Sequence, residues 1–176
     1  VQVGKGISNH ALKGFNDMIY TRTSTEDDLQ PLAETMRKMD AHEVMCSSGV
    51  SPFMALKGSK RMSPECNTIV EVGTERPVAM YGVAVDALHP TSGVPWMLVS
   101  DHLYTSKEHN NQFIKGAKKW VSEKQREFTV LVNYVHCDNK LAIRWLKKLG
   151  FVFTRKVENF GLGDDPFYEF IMIQPD

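Results

Sequence analysis

Two apolar runs separated by one long amphipathic stretch constrain this chain more than any other feature. VPWMLVS (94–100) and FTVLVNY (128–134) both read as strands of the buried type. Between them Phe113, Ile114, Ala117, Trp120 and Val121 share one helical face, and Thr105 with Glu108 forms a T-x-x-E capping box ahead of it. Two strands joined through a helix of that length lie parallel in one sheet, because an antiparallel return needs only a short turn.

The remaining elements fit around this crossover. Ile19 to Thr23 predicts a strand. STEDDLQPLAETMRKMD (24–40) predicts one helix, with Leu29, Leu32, Ala33 and Met36 at helical spacing. Acidic residues crowd its start and Arg37 and Lys38 its end, as the helix dipole favours; with Asp28 as cap, Pro31 falls in the first turn. Ser51 to Met62 predicts a second helix broken at Gly58, with the basic run KGSKR (57–61) as a solvated loop. Thr68 to Val72 and Val78 to Val85 form a hairpin through GTERP, and Phe151 to Thr154 and Phe167 to Ile173 close the chain as strands. The order βααβββαβαββ describes one α/β domain over residues 18–176, a mixed sheet with helices on both faces. Residues 1–17 hold three glycines and no periodicity, and read as a flexible arm or a non-native remnant.

Composition excludes several functions. Lys plus Arg and Asp plus Glu number 21 each, so no broad positive field draws the chain to nucleic acid or to a membrane surface. No apolar run approaches the roughly 20 residues that span a bilayer. Three cysteines without CxxC spacing fit a reducing cytoplasm better than a disulfide framework. The six histidines show no ligand pair at metal spacing, so no metal is expected. His136 and Cys137 suggest a nucleophile pair, but strand neighbours point to opposite faces. The methionines between Met36 and Met62 read as adaptable core.

DNKLAIRWLKKLGFVF (138–153) carries the most specific signal. Ala142, Trp145, Leu146 and Leu149 form an apolar stripe, Asp138 can cap the start, Lys147 and Lys148 suit the last turn, and Gly150 supplies a left-handed stop. Asn139 and Ala142, then Gly150-Phe151, follow a strand carrying Val132, Asn133 and Val135. This pattern and the element order resemble the Gcn5-related N-acetyltransferase superfamily over nearly the whole chain. YTRTSTEDDLQPLAETMRKMD, VAMYGVAV and VPWMLVSDHL resemble a phage-encoded branch found in short-tailed podoviruses, as internal virion or host-directed proteins.

The resemblance implies a GNAT-like fold whose two central parallel strands splay apart, with the pantetheine of acetyl-CoA pairing in the gap as an added strand would. The donor would then contact Leu98, Val99 and Ser100 on one strand, Asn133 on the other, and Asn139 and Trp145 on the following helix. Lys107, His109 and Asn110 would face the pyrophosphate. Asp101 and His102 are the candidate bases, and Tyr134 or Tyr104 the candidate acids. Two departures stand out. No glycine lies between Gly93 and Gly116, where the family keeps a glycine-rich phosphate loop, and Leu146 occupies the position of its usual proton-donating tyrosine. The resemblance therefore implies either an acetyl-CoA-dependent or acetyl-CoA-binding protein acting on a host or virion component, a small amine being another acceptor, or a catalytically inert module that binds a host protein or serves in the virion. Either would work in the bacterial host cytoplasm, or in the particle.

Overall fold

The computed structural model describes residues 19–85, 88–104 and 107–175. The expected arm at 1–17 and Thr105 of the expected capping box lie outside them. Seven strands form one sheet in the order β1-β2-β3-β4-β5-β7-β6: β1 (Ile19–Thr23), β2 (Cys66–Glu71), β3 (Pro77–Val85), β4 (Ser92–Val99), β5 (Val130–His136), β6 (Val152–Phe160) and β7 (Asp165–Ile173). Every neighbouring pair is antiparallel except β4 and β5, which the crossover helix makes parallel. The helices are α1 (Leu29–Glu34), α2 (Lys38–Ser48), α3 (Pro52–Met62), α4 (Lys107–Glu127) and α5 (Lys140–Leu149).

Strand alternation sorts the core onto two faces. Leu29, Leu32 and Leu56 of α1 and α3 pack with Cys66 and Met80 on one face. On the other, Phe113 of α4 packs with Val78, Ala79 and Val99, and Val121 packs with Leu131, Phe170 and Met172 beside α5. The mixed sheet with helices on both faces is thus as the sequence predicts.

The N-terminal helices differ from that reading. The chain does not continue as one helix over 24–40; α1 ends at Glu34 and helix resumes at Lys38, after Arg37, whose backbone is extended (φ −55°, ψ 132°). The reason lies in β4. Met36 bridges to Ser100, and the Arg37 amide donates to the Val99 carbonyl at 2.8 Å, so a strand edge claims the backbone that a continuous helix would use. An unforeseen helix, α2, follows. Asp28 stands at the cap position of α1 as expected, but its side chain makes no cap bond to that helix; Thr25 holds the cap position of the 3-10 turn before it, and the Thr25 amide donates to Asp28 Oδ2 at 2.8 Å. Asp28 is instead a buried node, gripped by both Arg22 guanidinium nitrogens at 2.7 and 2.6 Å and by the Thr68 hydroxyl at 2.9 Å. Helix α3 runs unbroken through Gly58, so KGSKR is helical rather than loop. Its start is capped by Ser51, with Pro52 in the first turn. At α5 the cap is Asn139, one residue beyond Asp138, accepting from the Ala142 amide at 3.3 Å.

Candidate functional site

β4 and β5 pair only at Ser92 with Val130 and Gly93 with Leu131, then separate. Gly93 marks the last close approach: a Cβ there would lie 2.5 Å from Val83 Cγ1 and 2.9 Å from Leu131 Cδ2. Beyond it a cleft of about 1010 Å³ opens, walled by α2 and α3 on one side and by α4 and α5 on the other.

Two strands that part leave unpaired backbone groups, and each needs a partner. The Ser100 amide bonds to Val78 of β3, so by antiparallel alternation Val99, Met97 and Pro95 face the gap. Pro95 has no N–H to lose there, which is why a proline is tolerated inside a seven-stranded sheet. Its carbonyl accepts from Asn133 Nδ2 at 2.9 Å, while Asn133 Oδ1 accepts from the Tyr134 amide at 2.7 Å. One amide side chain therefore satisfies both edges. Val99 is served from the other side, its carbonyl by the Arg37 amide and its N–H by Asp40 Oδ2 at 3.4 Å. The His136 amide on β5 donates to Glu43 Oε2 at 3.0 Å. Met97 remains, its amide and carbonyl directed into the gap.

Arg37, Asp40, Glu43 and Asn139 form a polar network where α2 meets the start of α5, with Asp40 and Asn139 buried and Arg37 and Glu43 partly so. Arg37 Nη2 pairs with Asp40 Oδ1 and donates to Asn139 Oδ1 at 2.6 Å. Asn139 Nδ2 donates to Glu43 Oε2 at 2.9 Å and to Asp40 Oδ1 at 3.2 Å. Burial pushes the Glu43 carboxyl up to about 7, against the lowering by its bonds from Asn139 and the His136 amide; the nearby Asp40 charge adds to the rise. All four residues line the cleft. A buried carboxyl of that basicity, with one oxygen anchored, suits the acceptance of a proton near neutral pH.

The expected residues are distributed unevenly. Leu98, Val99, Asn133, Tyr134, Asn139 and Trp145 line the cleft, as do Tyr104 and Leu146. Ser100, Asp101, His102, His109 and Asn110 lie off its wall among the described residues. Asp101 is exposed in a short helical turn, and the His102 ring lies 3.1 Å from Arg76 Nη1. Ser100 is buried and its hydroxyl accepts from the His102 amide at 3.2 Å. His109 is buried within the first turns of α4, Asn110 beside it is partly buried, and the Lys107 side chain lies outside the described residues. The Tyr134 hydroxyl donates to Glu169 Oε2 at 2.7 Å, a bond that raises its pKa and so holds the proton more tightly. Trp145 packs against Phe113 with ring centres 4.2 Å apart and edge-on to Tyr104 at 6.1 Å. Sequence reasoning missed Arg37, Asp40, Glu43 and Met97. The available signals were Pro95 inside an apolar strand and two carboxylates at i, i+3 after Arg37.

The splayed parallel pair, the flanking helices and the strand order are the fold of the Gcn5-related N-acetyltransferases. Solved structures share it: Ard1 from Thermoplasma volcanium (TM-score 0.63, 16% identity, 90% of this chain and 99% of that one) and a GNAT-family acetyltransferase from Streptococcus pneumoniae (0.60, 12%, 90% and 100%). The ribosomal-protein-S18-alanine N-acetyltransferase from Escherichia coli is a third (0.58, 12%, 90% and 96%). Residues 80–158, under half of the chain, match the family described as "Bacteriophage T7, probable scaffold protein Gp13", a likeness consistent with the phage resemblance. No curated protein sequence matches the chain significantly. Among the described residues no helix is long and apolar enough to cross a membrane.

Proposed function

We propose that this chain is a phage-encoded N-acetyltransferase that takes its acyl group from acetyl-CoA in the β4/β5 cleft and passes it to an amine on a host or virion component. The cleft carries this reading. It is lined from both faces of the sheet, so donor and acceptor can enter from opposite sides and meet where the strands part. The pantetheine arm pairs with the Met97 backbone, as an added strand would. The amine arrives from the α2 side, where Glu43 accepts its proton as the C–N bond forms. The thioester C–S bond then breaks and the departing thiolate takes up a proton. Leu146 has none to give; Tyr104 carries a hydroxyl on the same wall.

Acetyl-CoA consumption with a panel of amines and bacterial lysate tests this reading. Glu43→Gln should lower turnover by about 10²–10⁴-fold. Because Glu43 must be ionised to act and titrates at about 7, the parent rate should rise with pH through that value, and the variant should lose that limb. A parent that neither binds nor consumes acetyl-CoA would overturn the reading.

A second reading has its own observation. Asn133, Asp40, Arg37 and Glu43 serve Pro95, Val99, Tyr134 and His136 along the parted strand edges from within the chain, so most of the splay is held without a ligand. Together with Leu146, the glycine-free loop and the match to a family described as a scaffold protein, this favours a non-catalytic module that holds a host or virion partner. Robust acetyl transfer by the parent would exclude it.

A further inference from the structure

We propose that His42, Cys46, His136 and Asp165 form a zinc site that clips α2 to the turn between β6 and β7. His42 and Cys46 are four apart on α2 and so share a helical face. His136 ends β5 and Asp165 begins β7. Their donor atoms all lie within 4.8 Å of one another. Cys46 Sγ is 3.5 Å from His42 Nε2, and His136 Nε2 is 3.8 Å from Asp165 Oδ1. Four ligands placed 2.0–2.3 Å from a tetrahedral centre have edges of roughly 3.3–3.8 Å, so these two pairs already match and the remaining spacings, none beyond 4.8 Å, close by about 1 Å at most.

A second observation points to the same place. His136 is 3% exposed, and its Nε2 has no hydrogen-bond partner. An unpartnered polar atom that deeply buried is costly, and a metal ion would satisfy it. The scaffold is also already assembled. The Leu162 and Gly163 amides both donate to the Cys46 carbonyl at 2.9 Å, holding the turn against α2 without a metal.

The donor set selects the ion. A thiolate and two imidazoles favour zinc over calcium or magnesium, and four protein ligands leave no open position, which marks a structural site rather than a catalytic one. Thiolate and carboxylate together neutralise the dication, so the loaded site buries no net charge. Loading requires two proton movements. The Cys46 thiol gives its proton to solvent. The Asp138 amide now donates to His136 Nδ1 at 3.0 Å, which puts the neutral ring's proton on Nε2. Zinc at Nε2 moves that proton to Nδ1, so the Cys137–Asp138 peptide must turn, its amide going to water and its carbonyl, which now meets Lys140 Nζ, accepting from Nδ1. The site lies beside the proposed base, since the His136 amide holds Glu43, yet it stands without any acyl chemistry.

The test uses the full chain, stripped with chelator and titrated with Zn²⁺ and with Co²⁺ as a spectroscopic probe. One equivalent of Co²⁺ should give the intense visible absorption of a tetrahedral ion and a thiolate-to-cobalt band, and Cys46→Ser should remove that band. His42 is exposed, so His42→Ala leaves the fold intact. It should weaken Zn²⁺ binding by more than the roughly 10–100-fold typical of losing an outer-shell partner. Zinc should raise the melting temperature of the parent and do so far less for His42→Ala. A weak octahedral cobalt spectrum, or an equal thermal response in parent and His42→Ala, would overturn the proposal.

Discussion

Replacing Asn139 with alanine separates two roles that the same residue could hold. The resemblance casts Asn139 as a contact to the pantetheine arm, whereas the structure makes it the centre of the network beneath the cleft. Its side chain is 2% exposed and makes four hydrogen bonds, to Glu43, Asp40, Arg37 and the Ala142 amide. Losing the helix cap costs about 1 kcal/mol. Arg37 and Glu43 are each left one partner short in a buried setting, though each keeps another, so the lower end of the 1–3 kcal/mol range applies to both. The expected loss is about 3–4 kcal/mol, which for a chain of this size lowers the melting temperature by roughly 6–16 °C. Urea unfolding and calorimetry on parent and variant measure it. Asn139→Asp keeps a capping oxygen but sets a third carboxylate against Asp40 and Glu43, so it should also be unstable, increasingly so as pH rises and these groups ionise. A loss below about 1 kcal/mol for Asn139→Ala, with acetyl-CoA binding abolished, would refute the network account and restore the ligand-contact role.

Two further substitutions test the packing. Gly161 sits at φ +67°, and a Cβ there would lie 2.4 Å from the Ser47 carbonyl; Gly161→Ala should cost about 2–4 kcal/mol, read by urea unfolding, and a neutral result would show that the turn does not pack on α2. Trp145→Ala removes a partly buried ring stacked on Phe113 and should cost about 2–4 kcal/mol, somewhat less than a fully buried tryptophan. A variant that melts with the parent would mean that α5 does not pack on α4 as described.

The sheet was legible in the sequence because its signals are local. Apolar runs, a hairpin turn and a Gly-Phe stop each act within a few residues, and together they fix element order and the parallel crossover. The N-terminal helices were read less well because a distant edge decides them. Nothing between residues 24 and 40 reveals that Val99 will claim the Arg37 amide and end the helix there. Pro95 was the overlooked clue to the splay, since a proline inside a central strand fits only where no ladder bond is needed. Glu43 was invisible for a different reason. Its basicity arises from burial beside His136 and Asn139, more than ninety residues away in the chain. The four ligands of the proposed zinc site are likewise drawn from three separate stretches, so beyond the His42–Cys46 pair no spacing rule could gather them.

Amide hydrogen exchange at Met97, with and without acetyl-CoA, addresses the central claim most directly. Of the gap-facing residues Pro95, Met97 and Val99, the first and last are served by Asn133, Asp40 and Arg37, so a pantetheine arm bound there must protect the Met97 amide. Saturating acetyl-CoA should slow exchange at Met97 markedly, with Val99 changing little because Asp40 already holds its N–H. Unchanged exchange at Met97 in the same experiment would contradict it.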